Sequence, residues 1–288
     1  MHCTSVISLP WLLLVCTYFS GSWSLDCKPI ARTIIVDQSG GGDYKTIQAA
    51  LDTIPDYNDQ WTKVHIRPGT YLEKIKIFPV KGCIFLEGDG RDKTIISWDD
   101  HSSTDAVAAA VGGDKQAFYD CGFSGYQDTL WDQAGRHYFS ECYIEGAVDF
   151  IFGYAQSFYE KCTINVTGYG YITAQGRSKP DETNGYVFEQ CNVVGTGPTY
   201  LGRAYGAYSR VIYHSCTIDA DIVPQGWDPW FQAGHEENLY YVESDCKGAH
   251  YDTSKRVKWL KKLDNNQLED FTRDKFINQD GWIEKQPV

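Results

Sequence analysis

Hydrophobic and polar positions alternate in short runs through the middle of the chain, and the runs share one layout. Phe118-Tyr119-Asp120-Cys121-Gly122-Phe123 is followed by Tyr138-Phe139-Ser140-Glu141-Cys142-Tyr143-Ile144 and Phe158-Tyr159-Glu160-Lys161-Cys162-Thr163-Ile164. Val187-Phe188-Glu189-Gln190-Cys191-Asn192-Val193 and Ile212-Tyr213-His214-Ser215-Cys216-Thr217-Ile218 complete the series, with successive cysteines 21, 20, 29 and 25 residues apart. In each copy the Cys shares a period-2 face with an apolar residue two positions later, and usually with one four positions earlier. Such alternation predicts a half-buried strand. Its recurrence predicts a solenoid in which each coil covers the core of the last. Coils of this length leave no room for a crossover helix, so the expected fold is all-β, a right-handed parallel β-helix. The competing architecture is a β-sandwich with coincidental cysteines.

The same pattern places the ends of the domain. Thr33 to Val36, Val64 to Ile66, Lys74 to Phe78 and Cys83 to Leu86 are predicted strands. Tyr44 to Ile54, with Ile47, Ala50, Leu51 and Ile54 on one face and Pro55 closing it, predicts a helix capping the first coil. Gln267 to Ile277 predicts a terminal helix over the other end. One interval does not fit: Asp99 to Thr104 carries no strand signal, yet runs directly into Ala106-Val107-Ala108-Ala109-Ala110-Val111. Either a long surface loop lies here or the ladder has lost material.

Residues 1–24 are expected to be a secretory signal, because the apolar run from Val6 to Cys16 is too short to span a bilayer and ends in small residues. The expected domain is 25–288, an exported β-helix with no membrane span. Eight cysteines would remain after cleavage, and in an oxidising compartment some would pair. A Cys121–Cys142 bridge between neighbouring rungs and buried free thiols are both open. Asn165-Val166-Thr167 is a glycosylation acceptor. With 38 acidic against 26 basic residues the net charge is −12, and no basic stripe exists to neutralise nucleic-acid phosphates. Of the twenty tyrosines and nine tryptophans, about half are expected to fill the coil interior, the rest supplying flat surfaces suited to sugar rings on the outer face and loops.

The scattered histidines form no metal-ligand cluster, and Gly122-Phe123-Ser124-Gly125 falls one residue short of a serine elbow. The aspartates are more informative. Asp128 and Asp149 are 21 residues apart, each seven after a Cys, so stacked coils would set them on one surface about 4.8 Å apart. Two carboxylates held close split their pKa values, leaving one able to act as nucleophile and the other as acid. Gln127 could donate to an oxyanion, and Arg203 could keep an aspartate charged. Hydrogen-bonded turn residues are the plainer alternative.

Gly125-Tyr126-Gln127-Asp128-Thr129-Leu130, Val148-Asp149-Phe150-Ile151-Phe152-Gly153, Thr173-Ala174-Gln175-Gly176-Arg177 and Leu201-Gly202-Arg203 closely resemble the motifs of pectinesterases, chiefly the plant branch. Gly42 to Gln48, Gly88 to Arg91 and Pro224 to Trp227 extend the likeness over essentially all of 31–288. The resemblance implies metal-free hydrolysis of pectin methyl esters without a cofactor. Asp149 would be the nucleophile, Asp128 the acid and then base, Gln127 an oxyanion donor, and Arg203 the residue that orients the nucleophile and binds substrate. Tyr205 and Trp230 would join Arg203 in holding the sugar. Methyl-esterified homogalacturonan is the implied substrate, a proteinaceous pectinesterase inhibitor an implied partner, and a cell-wall monomer the implied state. The helical inhibitor-like region of many plant members is not expected here.

Three departures accompany the likeness. Ala204-Tyr205 replaces the family's Pro-Trp, and Asp105 stands where the family has a Gln in the site. The resemblance implies about 40 further residues, of the order of a solenoid repeat or two, between the Thr94–Ser97 strand and Ala106. That shortening makes a non-catalytic pectin-binding β-helix the alternative function; a chain-cleaving pectin enzyme is a third.

Overall fold

The structure, a computed structural model, describes residues 26–98 and 106–287. The expected signal at 1–24 and the segment 99–105, including Asp105, lie outside the described residues. Nine strands pair in chain order to form one long sheet: Lys28–Val36, Gln60–Ile66, Ile84–Gly88, Gln116–Tyr119, Arg136–Ser140, Gln156–Glu160, Gly185–Glu189, Arg210–His214 and Tyr240–Ser244. Every pairing between neighbours is parallel. Strictly sequential parallel order means that one strand per coil returns to the same sheet, which makes the chain a parallel β-helix. A second, twelve-stranded sheet closes the coils. Two of its strands, Tyr143–Gly153 and Thr163–Gln175, are long enough to run along two adjoining rows of shorter strands.

The interior follows from stacking. Phe118, Phe139, Tyr159, Phe188 and Tyr213 lie ring over ring at 4.6, 4.7, 4.6 and 4.6 Å. These aromatics fill the coil rather than its surface. Each offset pair adds about 0.5–1.5 kcal/mol beyond the area it buries. Beside them runs a column of fully buried cysteines, Cys121, Cys142, Cys162, Cys191 and Cys216.

The facing of these columns corrects the simple period-2 expectation. Residues two positions after each Cys do point inward, but those four positions before it (Ala117, Tyr138, Phe158, Val187, Ile212) belong to a separate cluster on the outer face. The residue immediately before each Cys explains the reversal. Asp120, Glu141, Lys161, Gln190 and Ser215 all adopt φ between 52° and 54°. One left-handed residue turns the chain a corner and inverts the alternation, so each Cys faces inward with the aromatic three positions earlier.

The cysteines of the column are free thiols, so the Cys121–Cys142 bridge does not form; the disulfide joins Cys27 to Cys83. Adjacent rungs bring backbones close, but the inward thiols pack beneath carbonyls of preceding coils: Cys142 Sγ lies 3.4 Å from the Phe118 carbonyl and Cys162 Sγ 3.5 Å from that of Phe139.

At the N-terminal end, helix α1 (Ile47–Asp52) buries Ile47, Ala50 and Leu51 over the first coil, as the pattern predicts. Its first backbone N–H groups donate to the Glu73 carboxylate at 2.8 and 2.9 Å, satisfying donors that a helix start leaves orphaned. The C-terminal expectation needs correction. Helices α2 (Asn265–Glu269) and α3 (Arg273–Phe276) replace one continuous helix, the second starting anew at Thr272. They do not cover the end of the solenoid. Phe276, Ile277 and Trp282 lie on the outer face of the long sheet, and Trp282 stacks on Trp61 at 6.0 Å. The end coil is covered instead by Tyr251, Val257, Trp259 and Leu260.

The join around 99–105 does not interrupt the ladder. Ile75–Ile77 pairs with Ala109–Gly112, Ile84–Gly88 with Gln116–Tyr119, and Thr94–Ser97 with Gly122–Ser124. The coil before the join therefore meets the coil after it strand for strand. Ala109–Gly112 in turn pairs with Leu130–Ala134, immediately beyond Asp128, so Asp128 is backed by continuous sheet.

Candidate active site

Asp128 and Asp149 occupy equivalent corners of consecutive coils. The strands on either side pair Gln127 with Val148 and Leu130 with Ile151, which sets the two aspartates in register. Both are left-handed, with φ of 55° and 50°. Aspartate tolerates this conformation better than most residues. The corners are pinned by backbone bonds: Asp128 N–H donates to the Val148 carbonyl at 3.0 Å, and Ala147 and Val148 N–H donate to the Tyr126 carbonyl at 2.7 and 3.2 Å.

The two carboxyls differ in environment. Asp149 is 6% exposed, and burial pushes its carboxyl above the ordinary range while its bonds to Arg203 pull the other way. Arg203 Nε donates to Asp149 Oδ1 at 2.8 Å and Arg203 Nη2 donates to Oδ2, the two-armed geometry that makes an Arg–carboxylate pair strong. Asp128 is half-buried and pushed up to about 6, first by burial and then by the neighbouring Asp149 charge; the Gln127 side chain and Arg203 oppose this. Both carboxyls are thus held above the ordinary range, with the cation committed to Asp149.

Arg203 reaches Asp149 from two strands away, because Phe152 pairs with Ala174 and Ala174 with Arg203. Its guanidinium lies against two rings, 3.8 Å from the Trp230 centroid and 4.7 Å from that of Tyr171. Such contacts hold a cation in place at about 0.5–2 kcal/mol each. Tyr205 is 48% exposed and lies 5.6 Å from Trp230 and 6.4 Å, edge-on, from Tyr154. An aromatic surface therefore flanks the carboxylates, on an open face of the solenoid. A hollow of about 490 Å³ lies elsewhere, between the long sheet and helices α2 and α3.

All six residues singled out from the sequence, Gln127, Asp128, Asp149, Arg203, Tyr205 and Trp230, gather on this one face. Tyr171 and Asp228 also belong to it and were not singled out. The signal for Asp228 was its place directly after Pro224-Gln225-Gly226-Trp227. For Tyr171 it was the two-residue distance to Thr173-Ala174-Gln175. Asn165 sits in a strand with its side-chain amide 3.2 Å from Glu145 Oε2. Among the described residues, no three His, Cys, Asp or Glu side chains group as a metal site would, and no helix is long and apolar enough to cross a membrane.

The sequence model of the family described as Pectinesterase matches residues 33–105 and 100–280. The chain belongs to the pectinesterase family. Among its relatives, "Probable pectinesterase 29" of Arabidopsis thaliana is 41% identical over 312 residues, covering 92% of this chain and 93% of that one. "Probable pectinesterase 55" of the same plant is 41% identical over 309 residues, with the same coverage. Both alignments are longer than the 288-residue chain, so these relatives carry residues it lacks, and the family match breaks at 100–105. The pectin methylesterase from carrot superposes with a TM-score of 0.76 at 30% identity, covering 88% of this chain and 96% of that one. That from Aspergillus niger gives 0.72 at 26%, covering 91% and 98%. The solenoid of this pectinesterase thus keeps the family fold around the shortened segment.

Proposed function

We propose that the protein demethylates pectin through Asp149 as nucleophile and Asp128 as acid and base. An Asp149 carboxylate oxygen attacks the ester carbonyl carbon of a methyl galacturonate unit. The resulting oxyanion is stabilised by the Gln127 amide. The carbon–methoxy bond breaks, and methanol departs with the proton of Asp128. Asp128, now ionised, takes a proton from water as the water attacks the acyl carbon. The acyl–oxygen bond to Asp149 breaks, the galacturonate acid is freed and both aspartates are restored. Atoms balance as ester plus water giving acid plus methanol.

The observation that carries this reading is the two-armed grip of Arg203 on Asp149, with Asp128 one rung away in the same left-handed corner. The grip favours the ionised form of one carboxyl, while the other titrates at about 6, the division of labour the reaction needs. Tyr205 and Trp230 would stack on the sugar rings, with Tyr205 standing in for the family's Trp. Continuous pairing behind Asp128 favours a catalytic protein over a binding-only one. Export to the cell wall is part of the proposal, supported by the apolar leader and by the Cys27–Cys83 disulfide, a bond of oxidising compartments.

Methanol release from methyl-esterified polygalacturonate tests the assignment. The intact chain should release it and Asp149→Ala should not; activity persisting in Asp149→Ala overturns the role of Asp149. A fall in pectin viscosity without methanol would instead place the protein among chain-cleaving enzymes.

A further inference from the structure

Asp228 lies opposite Arg203 on the neighbouring strand, since Gly202 pairs with Trp227 and Arg203 with Asp228. A carboxylate so placed could capture the guanidinium, yet among the described residues Arg203 forms its ion pair with Asp149. Both oxygens of Asp228 are committed elsewhere. Oδ2 accepts from the Tyr171 hydroxyl at 3.0 Å, and Oδ1 accepts from the Trp230 backbone N–H at 2.8 Å. Tyr171 and Trp230 are the two rings that hold the Arg203 guanidinium. One carboxylate therefore ties together both plates of the clamp.

Trp230 gives independent reason to think the tie matters. Its φ is 48°, a conformation that a bulky aromatic adopts only when its surroundings impose it, at a cost of roughly 1–3 kcal/mol. The bond from its N–H to Asp228 and the cation against its ring are what the surroundings supply. Burial and the Asp228 carboxylate hold the Tyr171 phenol above its ordinary range, so it remains a donor.

We propose that Asp228 is a positioning residue for the esterase reaction: it sets the Tyr171–Trp230 clamp, the clamp sets Arg203, and Arg203 sets and charges Asp149. Asp228 lies beside Arg203 on the sheet, but its own hydrogen bonds go to Tyr171 and Trp230, and it acts through these two residues. The inference rests on the esterase reading for its kinetic consequence and on geometry alone for its effect on Asp149.

The experiment compares the full chain with Asp228→Ala, Asp228→Asn and Tyr171→Phe, by methanol release across pH and by carbon NMR titration of the Asp149 carboxyl. In Asp228→Ala, kcat should fall about tenfold or more, because a misplacement of about 1 Å can cost a hundredfold. KM should stay within about threefold, the mark of an interaction exerted in the transition state. The acidic limb of the profile and the Asp149 titration should both move to higher pH, since Asp149 loses part of the opposition Arg203 gives to burial. Asp228→Asn keeps an oxygen for the Trp230 N–H and should recover most of the lost kcat. Tyr171→Phe, which removes one hydroxyl, should move the Asp149 titration in the same direction by less.

An Asp149 titration unmoved in both Asp228→Ala and Tyr171→Phe overturns the proposal. So does Asp228→Asn behaving like Asp228→Ala, which would make the charge rather than the tie responsible. If Asp228→Ala does not fold, Tyr171→Phe decides alone. If the unaltered chain releases no methanol, the esterase reading fails, and the NMR titration still decides the role of Asp228.

Discussion

Arg203 grips Asp149 with both arms of its guanidinium from two strands along the sheet, at 2.8 Å through Nε and through Nη2 to the second oxygen. The pair is mostly buried, with side-chain exposures of 18% and 9%. Breaking such a pair leaves a charge without its partner, which costs about 3–5 kcal/mol. Arg203→Lys keeps the charge but loses the fork and the flat surface between Trp230 and Tyr171. It should lower kcat/KM by about 10- to 100-fold, a loss of roughly 1.4–2.7 kcal/mol. A steady-state assay of methanol release checks this, and near-normal kcat/KM in Arg203→Lys would show that point charge suffices.

Asp128 should be a site where function and stability pull apart. Its folded-state pKa is raised from 3.8 to about 6, so the fold prefers the protonated form. For a raised acid, that preference is fully present below the unfolded value and is lost as pH rises through about 6. Asp128→Asn should therefore stabilise the protein at pH 7 and bring no gain near pH 3, while abolishing turnover. Solvent still reaches this side chain, so the gain should be about 1 kcal/mol after screening. That corresponds to roughly 2–4 °C in Tm. Thermal melts at the two pH values measure it.

The same titration should shape the rate. With Asp128 as the proposed acid in methanol release, kcat/KM for the free enzyme should decline above about pH 6. Its fall on the acidic side should follow protonation of Asp149, giving a bell. A profile flat from pH 5 to 8 would remove Asp128 from the role of acid.

The cysteines should divide into two chemical classes. Cys121, Cys142, Cys162, Cys191 and Cys216 are all fully buried, so a reagent in solvent cannot reach their thiols. A thiol reagent should therefore label none of the five buried column cysteines until denaturant is added. Cys27→Ser should cost roughly 4 kcal/mol, because the Cys27–Cys83 bridge closes a long loop in the unfolded chain. Rapid labelling of a column cysteine in the native protein, as distinct from the partly exposed free thiol of Cys246, or a Cys27→Ser melt equal to that of the unaltered chain, would contradict this division.

Much of the site was legible because a solenoid turns sequence spacing into spatial adjacency. Asp128 and Asp149 share an offset from their cysteines, so identical coils must stack them. The helix at Ile47–Asp52 was equally plain, since its apolar face is local. What misled was also local. The alternation around each Cys suggested one face, but a single left-handed residue before it inverted the pattern, and a residue such as Glu141 or Lys161 gives no warning of positive φ. The helical pattern of 267–277 did not say which surface it would cover. That depended on Trp61, Phe85 and Phe158 forming an apolar strip on the long sheet.

The order of the coils, the aspartate pair and the family were fixed by the amino-acid sequence itself, because period, spacing and motif are properties of one dimension. The thiol column, the disulfide between Cys27 and Cys83, the closure of the ladder across 99–105 and the Asp228 tie were decided only by the tertiary structure. Each depends on where strands from different coils lie side by side. Pairing of that kind is settled by the cooperative packing of the whole solenoid, and no residue carries it alone.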